Sequence, residues 1–101
     1  MATRLVKDRW GNVVELTDER WQHIAAWHPD LADHLEGVLG AIKRGRRRQD
    51  ALEPDKYRYY WPTDALLPDY NHIVVVVKLA ERNYVLTAYP IFIYGQSHRG
   101  N

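Results

Sequence analysis

The sequence predicts an α+β fold, with an N-terminal hairpin and two helices packed on one face of a twisted antiparallel β-sheet of about four strands. Apolar residues recur with helical spacing in the first half of the chain, and runs rich in Val, Ile and aromatic residues fill the second half. The 101 residues, 46% of them hydrophobic, fit one domain with its own core. We therefore expect a single domain over residues 1–101, in which the polar segment 95–101 is a mobile tail.

The hairpin and the start of the first helix are indicated by short polar signals. Trp10-Gly11-Asn12 lies between two β-prone runs within residues 4–16, which is typical of a turn. Thr17 then precedes Asp18 and Glu19. A hydroxyl can cap the free N–H groups of a helix, and acidic residues in the first turn suit its dipole, so the first helix is expected to begin here.

Two apolar stripes define the helices. The first stripe is spaced i, i+3, i+4 and i+7, and consists of Trp21, Ile24, Ala25 and His28. Pro29 cannot sit inside that helix, so the chain must turn near His28. We expect the second helix to start there, with Pro29 or Asp30 in its first turn, and to end at Gly45. Its stripe is Leu31, Leu35, Val38, Leu39 and Ile42.

The second half predicts the sheet. Its β-prone runs are Lys56–Trp61, His72–Leu79 and Tyr84–Tyr89, with Pro90 interrupting before Ile91–Tyr94. A hairpin turn is expected at Ala80–Asn83 between the second and third runs. Alternation places Arg58 and Tyr60 on one face of the first run, and Tyr57, Tyr59 and Trp61 on the other.

Several function classes find no support in the sequence. It contains no cysteine, no His-Glu-x-x-His motif, no Gly-rich phosphate loop and no Gly-x-Ser-x-Gly motif. We therefore expect neither a metal site nor a cofactor. No segment approaches the roughly 20 apolar residues of a membrane span, and the N-terminus lacks the apolar core of a signal peptide. A cytoplasmic protein is the default expectation, although the toxic tip of a larger exported protein would look the same.

Charge is concentrated in one segment. The net charge is only +1, but five positive charges and no negative one lie between Lys43 and Arg48. This basic run is either the solvated end of the second helix, favoured by the helix dipole, or a contact for phosphate. In the second interpretation it binds RNA through Arg44, Arg46, Arg47 and Arg48.

Strand parity brings several polar side chains together. His72, Val74, Val76 and Lys78 share one face of their strand. If the Ala80–Asn83 turn is symmetric, Val76 lies opposite Thr87, Val74 opposite Tyr89 and Lys78 opposite Val85, whereas a three-residue turn breaks this register. The other face, with Ile73, Val75, Val77, Leu79, Leu86 and Ala88, is then the core. The polar face is either an ordinary half-solvated surface or a site for a phosphodiester.

His28 also allows two interpretations. It lies on the apolar helix face at the helix C-terminus, where the dipole favours the protonated imidazole, and it is either a structural or a catalytic histidine. The aromatic strand leaves a similar choice, because Tyr60 either packs or stacks on a base while Arg58 grips phosphate.

Five segments follow one another along the chain: Leu16–Ile24, Trp27-His28-Pro29-Asp30, Tyr59-Tyr60, Val74–Lys78 and Val85–Tyr89. In this order they resemble small phage- and bacteria-borne domains of the barnase–EndoU–colicin–RelE nucleases, over roughly residues 4–92. The resemblance implies two N-terminal helices on a four-stranded antiparallel sheet, with RNA cleaved on the exposed sheet face. By the family's pattern the candidate site residues are His28, Arg58, Tyr60, Lys78, Thr87 and Tyr89, and all of these except Tyr60 form the expected catalytic set.

The expected function is that of a metal-independent, toxin-type endoribonuclease, which cleaves RNA through its 2′-hydroxyl to a 2′,3′-cyclic phosphate. Lys78 and Arg58 would stabilise the phosphorane, His28 would act as base or acid, and Thr87 and Tyr89 would position phosphate. Tyr60 and His72 join the basic run as RNA-binding residues. A cognate antitoxin or immunity protein is the expected inhibitor, no membrane partner is expected, and homodimer formation stays open. The alternatives are a non-catalytic RNA- or protein-binding module on this fold, and an interaction domain that pairs through an exposed strand edge.

Overall fold

The computed structural model describes residues 2–64 and 69–94, which contain two α-helices and a six-stranded mixed sheet. The predicted tail 95–101 lies outside the described residues. The helices are α1, Asp18–Trp27, and α2, Leu35–Arg44. The strands are β1, Thr3–Lys7; β2, Val13–Thr17; β3, Arg46–Gln49; β4, Lys56–Pro62; β5, His72–Leu79; and β6, Asn83–Ile91.

The sheet order is β1-β2-β6-β5-β4-β3. The α+β class is confirmed, but six strands replace the expected four or so, and the sheet is mixed because β2 pairs parallel to β6 at Glu15 and Tyr84. All other neighbours are antiparallel. The β1–β2 hairpin was expected to pack with the helices on one face of the sheet. Instead, it extends the sheet at the β6 side.

Strand β3 was not predicted from the sequence. The basic run is not a continued helix end, because α2 stops at Arg44 and Arg46–Gln49 pair with β4. Gly45 makes the change of direction: its N–H donates to Ala41 at 2.9 Å and closes α2. A Cβ at this position would lie 2.5 Å from the Tyr60 carbonyl oxygen, so only glycine lets the helix run directly into an edge strand.

The helix starts differ from one another in how well they were predicted. Thr17 caps α1 as expected, accepting a hydrogen bond from the Arg20 N–H at 3.0 Å. The second helix does not begin at Pro29 or Asp30; Pro29–Leu31 form a separate 3₁₀ turn, and α2 begins only at Leu35. Gly45 ends α2, as predicted.

One apolar core lies between the helices and the sheet. Helix α2 packs on β4 and β5, and α1 packs on β6 and β2. The helices contribute Ile24, Val38, Ala41 and Ile42, and the sheet contributes Val14, Leu16, Tyr59, Ile73, Val75, Val77, Val85 and Ala88. The predicted alternation on β4 is confirmed, since Tyr59 is buried in this core and Tyr57 and Trp61 pack against it.

A buried polar cluster ties the β1–β2 turn to the rest of the sheet. Asp8, whose side chain is fully buried, accepts hydrogen bonds from the Tyr59 hydroxyl at 2.6 Å and from the Asn12 N–H at 2.8 Å. Arg47 completes the cluster with an ion pair at 3.3 Å. Burial alone would raise the pKa of Asp8, but the hydrogen bonds from Tyr59, Asn12 and Trp10 outweigh it and leave that pKa below its usual value.

The β5–β6 hairpin reaches its register by an unexpected route. The turn is not symmetric: Leu79 pairs with Asn83, which leaves three residues in the loop, and Lys78 therefore faces Tyr84 rather than Val85. A bulge between Val76 and Val77 then excludes Leu86 from the ladder. Beyond the bulge, Val76 pairs with Thr87 and Val74 with Tyr89, as predicted. Strand β6 contributes Val85 and Ala88 to the core, and not the predicted Leu86.

Pro90 does not interrupt β6 as expected. The strand continues to Ile91, whose carbonyl accepts a hydrogen bond from Asn71 N–H at 3.0 Å. Because polar backbone groups alternate in direction along a strand, Pro90 points away from β5. On that side of β6, strand β2 pairs at Tyr84, six residues before Pro90. No described strand therefore needs a hydrogen bond from the backbone nitrogen of Pro90.

Candidate nucleic-acid interface

The sheet surface that points away from the helices, here called the open face, is formed by β3 to β6. Partners in adjacent strands point to the same side, so the register arranges the side chains in four rows. The first row is Pro62, His72 and Ile91; the second is Arg46, Tyr60, Val74 and Tyr89; the third is Arg48, Arg58, Val76 and Thr87; and the fourth is Lys56, Lys78 and Tyr84.

The structure thus brings most of the predicted site residues to one surface. The shared face of Arg58 and Tyr60, and that of His72, Thr87 and Tyr89, are as predicted. Val74 and Val76 also face this side but are buried, so the longer side chains around them must cover them. The middle of the open face is consequently built from aromatic rings and guanidinium groups.

Arg58 in the third row and both lysines of the fourth row are matched by carboxylates of the β3–β4 loop. The ion pairs are Arg58–Asp50 at 2.8 Å, Lys56–Glu53 at 3.0 Å and Lys78–Asp55 at 3.6 Å. Hydrogen bonds from Arg58 and from the backbone N–H groups of Glu53 and Leu52 lower the pKa of Asp50 to about 2. This carboxylate is therefore charged at all ordinary pH values.

The β3 side of the open face has a different charge balance. Among residues 2–64 and 69–94, no carboxylate forms an ion pair with Arg46 or Arg48. Both residues are exposed. The positive potential of the face is therefore strongest along β3, where an anion meets two uncompensated guanidinium groups.

Two adjoining grooves lie at this end of the face. One, of about 580 Å³, is lined by residues that include Arg46, Arg48, Tyr60 and His72. The other, of about 530 Å³, shares Arg46, Tyr60 and His72 and extends to Trp61 and other residues. Each groove is large enough for part of a nucleotide, and the three shared residues stand at their junction.

A second cluster joins β4, β6 and the end of α1. The hydrogen bonds of Arg58 to Asp50 and to Tyr89 raise the pKa of the guanidinium. The Tyr89 ring in turn lies 6.3 Å from the His28 ring, centroid to centroid. His28 is the C-cap of α1, so the helix end delivers it to the β6 side of the open face.

Not every predicted site residue lies in these clusters. Lys78 stands in the fourth row and forms an ion pair with Asp55. It lies four residues from Val74 along β5, a separation of about 13 Å. Arg47 is on the opposite face of β3, where it pairs with Asp8 and its guanidinium lies 4.1 Å from the centroid of the Trp10 ring. Arg44 ends α2 and its guanidinium lies 5.7 Å from the centroid of the Trp61 ring.

Two residues that the sequence did not single out shape the site. Asp50 compensates Arg58, and Asn71 hydrogen-bonds to His72. Asn71 precedes His72 in the chain, so its position next to a candidate histidine could have identified it. No sequence signal identifies Asp50, because only the β3–β4 pairing brings it to Arg58.

No group of three or more His, Cys, Asp or Glu side chains suited to a metal ion occurs in the described part of the chain. Within the same residues, no helix is long and apolar enough to cross a membrane. Comparison of the chain with protein-family profiles, with curated proteins and with solved structures finds no match.

Proposed function

We propose that the protein is a metal-independent endoribonuclease that binds single-stranded RNA across the open face and cleaves it by attack of the RNA's own 2′-hydroxyl. The observation that carries the proposal is the coincidence, on one surface, of uncompensated cations with groups able to transfer protons. Arg46 and Arg48 stand without carboxylate partners among the described residues, and imidazole and phenol groups lie in the neighbouring rows.

Cleavage by the 2′-hydroxyl requires only a few groups in the site. The 2′-oxygen attacks phosphorus, the bond to the 5′-oxygen breaks, and the products are a 2′,3′-cyclic phosphate and a 5′-hydroxyl. A base must accept the proton of the 2′-hydroxyl, an acid must supply one to the 5′-oxygen, and donors must stabilise the charge on the phosphorane. No added nucleophile is needed, because the substrate contains it.

The open face offers residues for these roles. Arg46 and Arg48 hold the phosphate chain, and Tyr60 between the two grooves stacks on a base. Arg58 and Tyr89 donate to the phosphorane, with Thr87 beside them in the third row. His28, next to Tyr89, transfers a proton as base or acid.

This assignment revises the expectation for two residues. Lys78 is too far along β5 to share one phosphate with Tyr89, so it contacts a flanking phosphate instead. Arg47 supports the fold through Asp8 and is not part of the RNA site. A cognate inhibitor would be expected to carry acidic groups that cover the β3 side of the open face.

The test uses a labelled single-stranded RNA and the same sequence with 2′-O-methyl groups, each in excess EDTA. We expect the RNA to be cut to fragments ending in 2′,3′-cyclic phosphate, and the methylated strand to be bound but left intact. Cleavage of the methylated strand, or activity lost in EDTA and restored by a divalent ion, would contradict the mechanism. Binding of both strands without cleavage would instead indicate a non-catalytic RNA-binding module.

A further inference from the structure

His72 is a buried histidine that opens onto both grooves. It begins β5 in the first row of the open face, between Pro62 and Ile91, and is 5% exposed. It nevertheless lines the 580 Å³ groove and the 530 Å³ groove. Only a small part of the residue is therefore accessible, and His72 lies where the two grooves adjoin.

The hydrogen bonds around Asn71 determine which nitrogen of His72 carries the proton. The Asn71 amide is held by the backbone of Ile93: Oδ1 accepts from the N–H at 2.8 Å and Nδ2 donates to the carbonyl at 3.1 Å. Since Oδ1 is thus an acceptor, His72 Nδ1, 2.9 Å away, must be the donor. In neutral imidazole the lone pair then lies on Nε2, for which the described residues provide no hydrogen-bond partner.

The surroundings favour this neutral form. Burial, and secondly the positive charge of Arg46, lower the pKa of His72. Among the described residues that line the two grooves, the further charged or titratable ones are Arg44, Arg47, Arg48, Tyr60 and Asp64. The guanidinium of Arg47 is held by Asp8 on the other face of β3. Ile91, the last residue of β6, and Ile93 beyond it are apolar. Among these described residues the arginines outnumber the one carboxylate, so the surroundings favour the neutral imidazole of His72.

We propose that His72 is the general base of the reaction: its Nε2 removes the proton of the attacking 2′-hydroxyl, and Asn71 is the positioning residue that fixes its tautomer. This inference rests on the proposed ribonuclease function, which left open whether His28 is the base or the acid. It assigns the role of base to His72. As the 2′-oxygen bonds to phosphorus, its proton passes to Nε2; as the bond to the 5′-oxygen breaks, that oxygen takes a proton from His28 or from water.

The main experiment compares His72→Gln with His23→Gln, a matched loss of an exposed histidine on α1. We expect His72→Gln to lower kcat by about 10²–10⁴-fold and to remove the acidic limb of the pH–rate profile. His23→Gln should leave both unchanged. If folded His72→Gln cleaves at the wild-type rate while the wild-type protein is active, the assignment of the base is wrong and the ribonuclease function stands. If the wild-type protein leaves RNA intact, both fall.

Asn71→Asp supplies a readout that a merely structural role would not move. A carboxylate beside Nδ1 stabilises the imidazolium, so the acidic limb should shift to higher pH with the plateau rate kept within a few-fold. An unchanged limb would overturn the positioning role. Should a variant fail to fold, the tautomer is read in the wild-type protein from ¹⁵N chemical shifts of the imidazole. A proton on Nδ1 near neutral pH supports the proposal, and a proton on Nε2 overturns it.

Discussion

Asp50 determines how much of the charge of Arg58 a bound phosphate can meet. Its carboxylate lies 2.8 Å from the guanidinium and accepts two backbone hydrogen bonds in the same loop, so it is ordered and charged. A phosphate that binds Arg58 must compete with this partner. The open face is thus strongly cationic along β3 and nearly neutral one strand further on.

Asp50→Asn tests this balance, because asparagine keeps an acceptor for the loop but removes the charge. We expect tighter RNA binding, and a slope of log K against log salt steeper by up to about 0.7, since one more cation becomes available to single-stranded phosphate. Fluorescence anisotropy over a salt series measures both. Asp18→Asn is the control, because Asp18 pairs with Arg4 on the hairpin edge; an equal effect there would mean that net charge alone matters.

At the scale of single elements, β3 has opposite roles on its two faces. Arg46 and Arg48 point to the open face, whereas Arg47, between them, joins the buried Asp8 cluster. Under the proposed function, alternation along the strand therefore assigns two of three consecutive arginines to RNA binding and the middle one to the fold. The sequence alone treats the three as equivalent, because a basic run shows no apolar periodicity from which a strand could be recognised.

Replacement of Arg46 and Arg48 together by glutamine should weaken RNA binding and make the salt slope shallower by up to about 1.4, at an unchanged melting temperature. Arg47→Gln is the matched control on the same strand. It should leave the slope unchanged and lower the melting temperature, because Asp8 would lose its buried cation. If Arg47→Gln changed the slope as much as the double variant, the separation of the two faces would be refuted.

On the acid side, the stability of the whole molecule depends on pH through four of its described groups. The pKa values of Asp8, Asp18 and Asp50 lie below the ordinary 3.8, and that of His72 lies below 6.5. In each case the folded chain binds fewer protons than the unfolded chain between the two values. The stabilisation is thus complete above the unfolded pKa and is lost as the pH falls toward the folded one.

We expect the free energy of unfolding in urea to be constant from about pH 7 up to the onset of tyrosine ionisation, and to fall in two steps on acidification. Burial raises the pKa of Tyr59, so stability should also fall in strong alkali. The first step begins near 6.5 and is due to His72; the second begins near 3.8 and is due to the aspartates. His72→Gln should abolish the first step alone. A single step near 3.8 in the wild-type protein would show that His72 titrates alike in both states.

The sequence predicted those parts of the fold and site that depend on local pattern. The α1 cap at Thr17, the end of α2 at Gly45 and the faces of Arg58 and Tyr60 follow from capping, glycine chemistry and alternation. What it missed depends on tertiary pairing. Strand β3 is stabilised by its partner β4 and not by its own composition, and the role of Arg47 depends on Asp8, 39 positions away in the chain.

The bulge at Leu86 also has a consequence for the order in which the chain assembles. A hairpin that zips outward from its loop forms Leu79–Asn83, Lys78–Tyr84 and Val77–Val85 before it reaches a branch point. Regular zipping would next join Val76 to Leu86, which would turn Thr87 and Tyr89 inward and Ala88 outward. Hydrogen bonding alone does not distinguish these two continuations. Burial of Ala88 against the helices distinguishes them, so we expect the last half of this hairpin to form after collapse and the open face to be among the last surfaces to form.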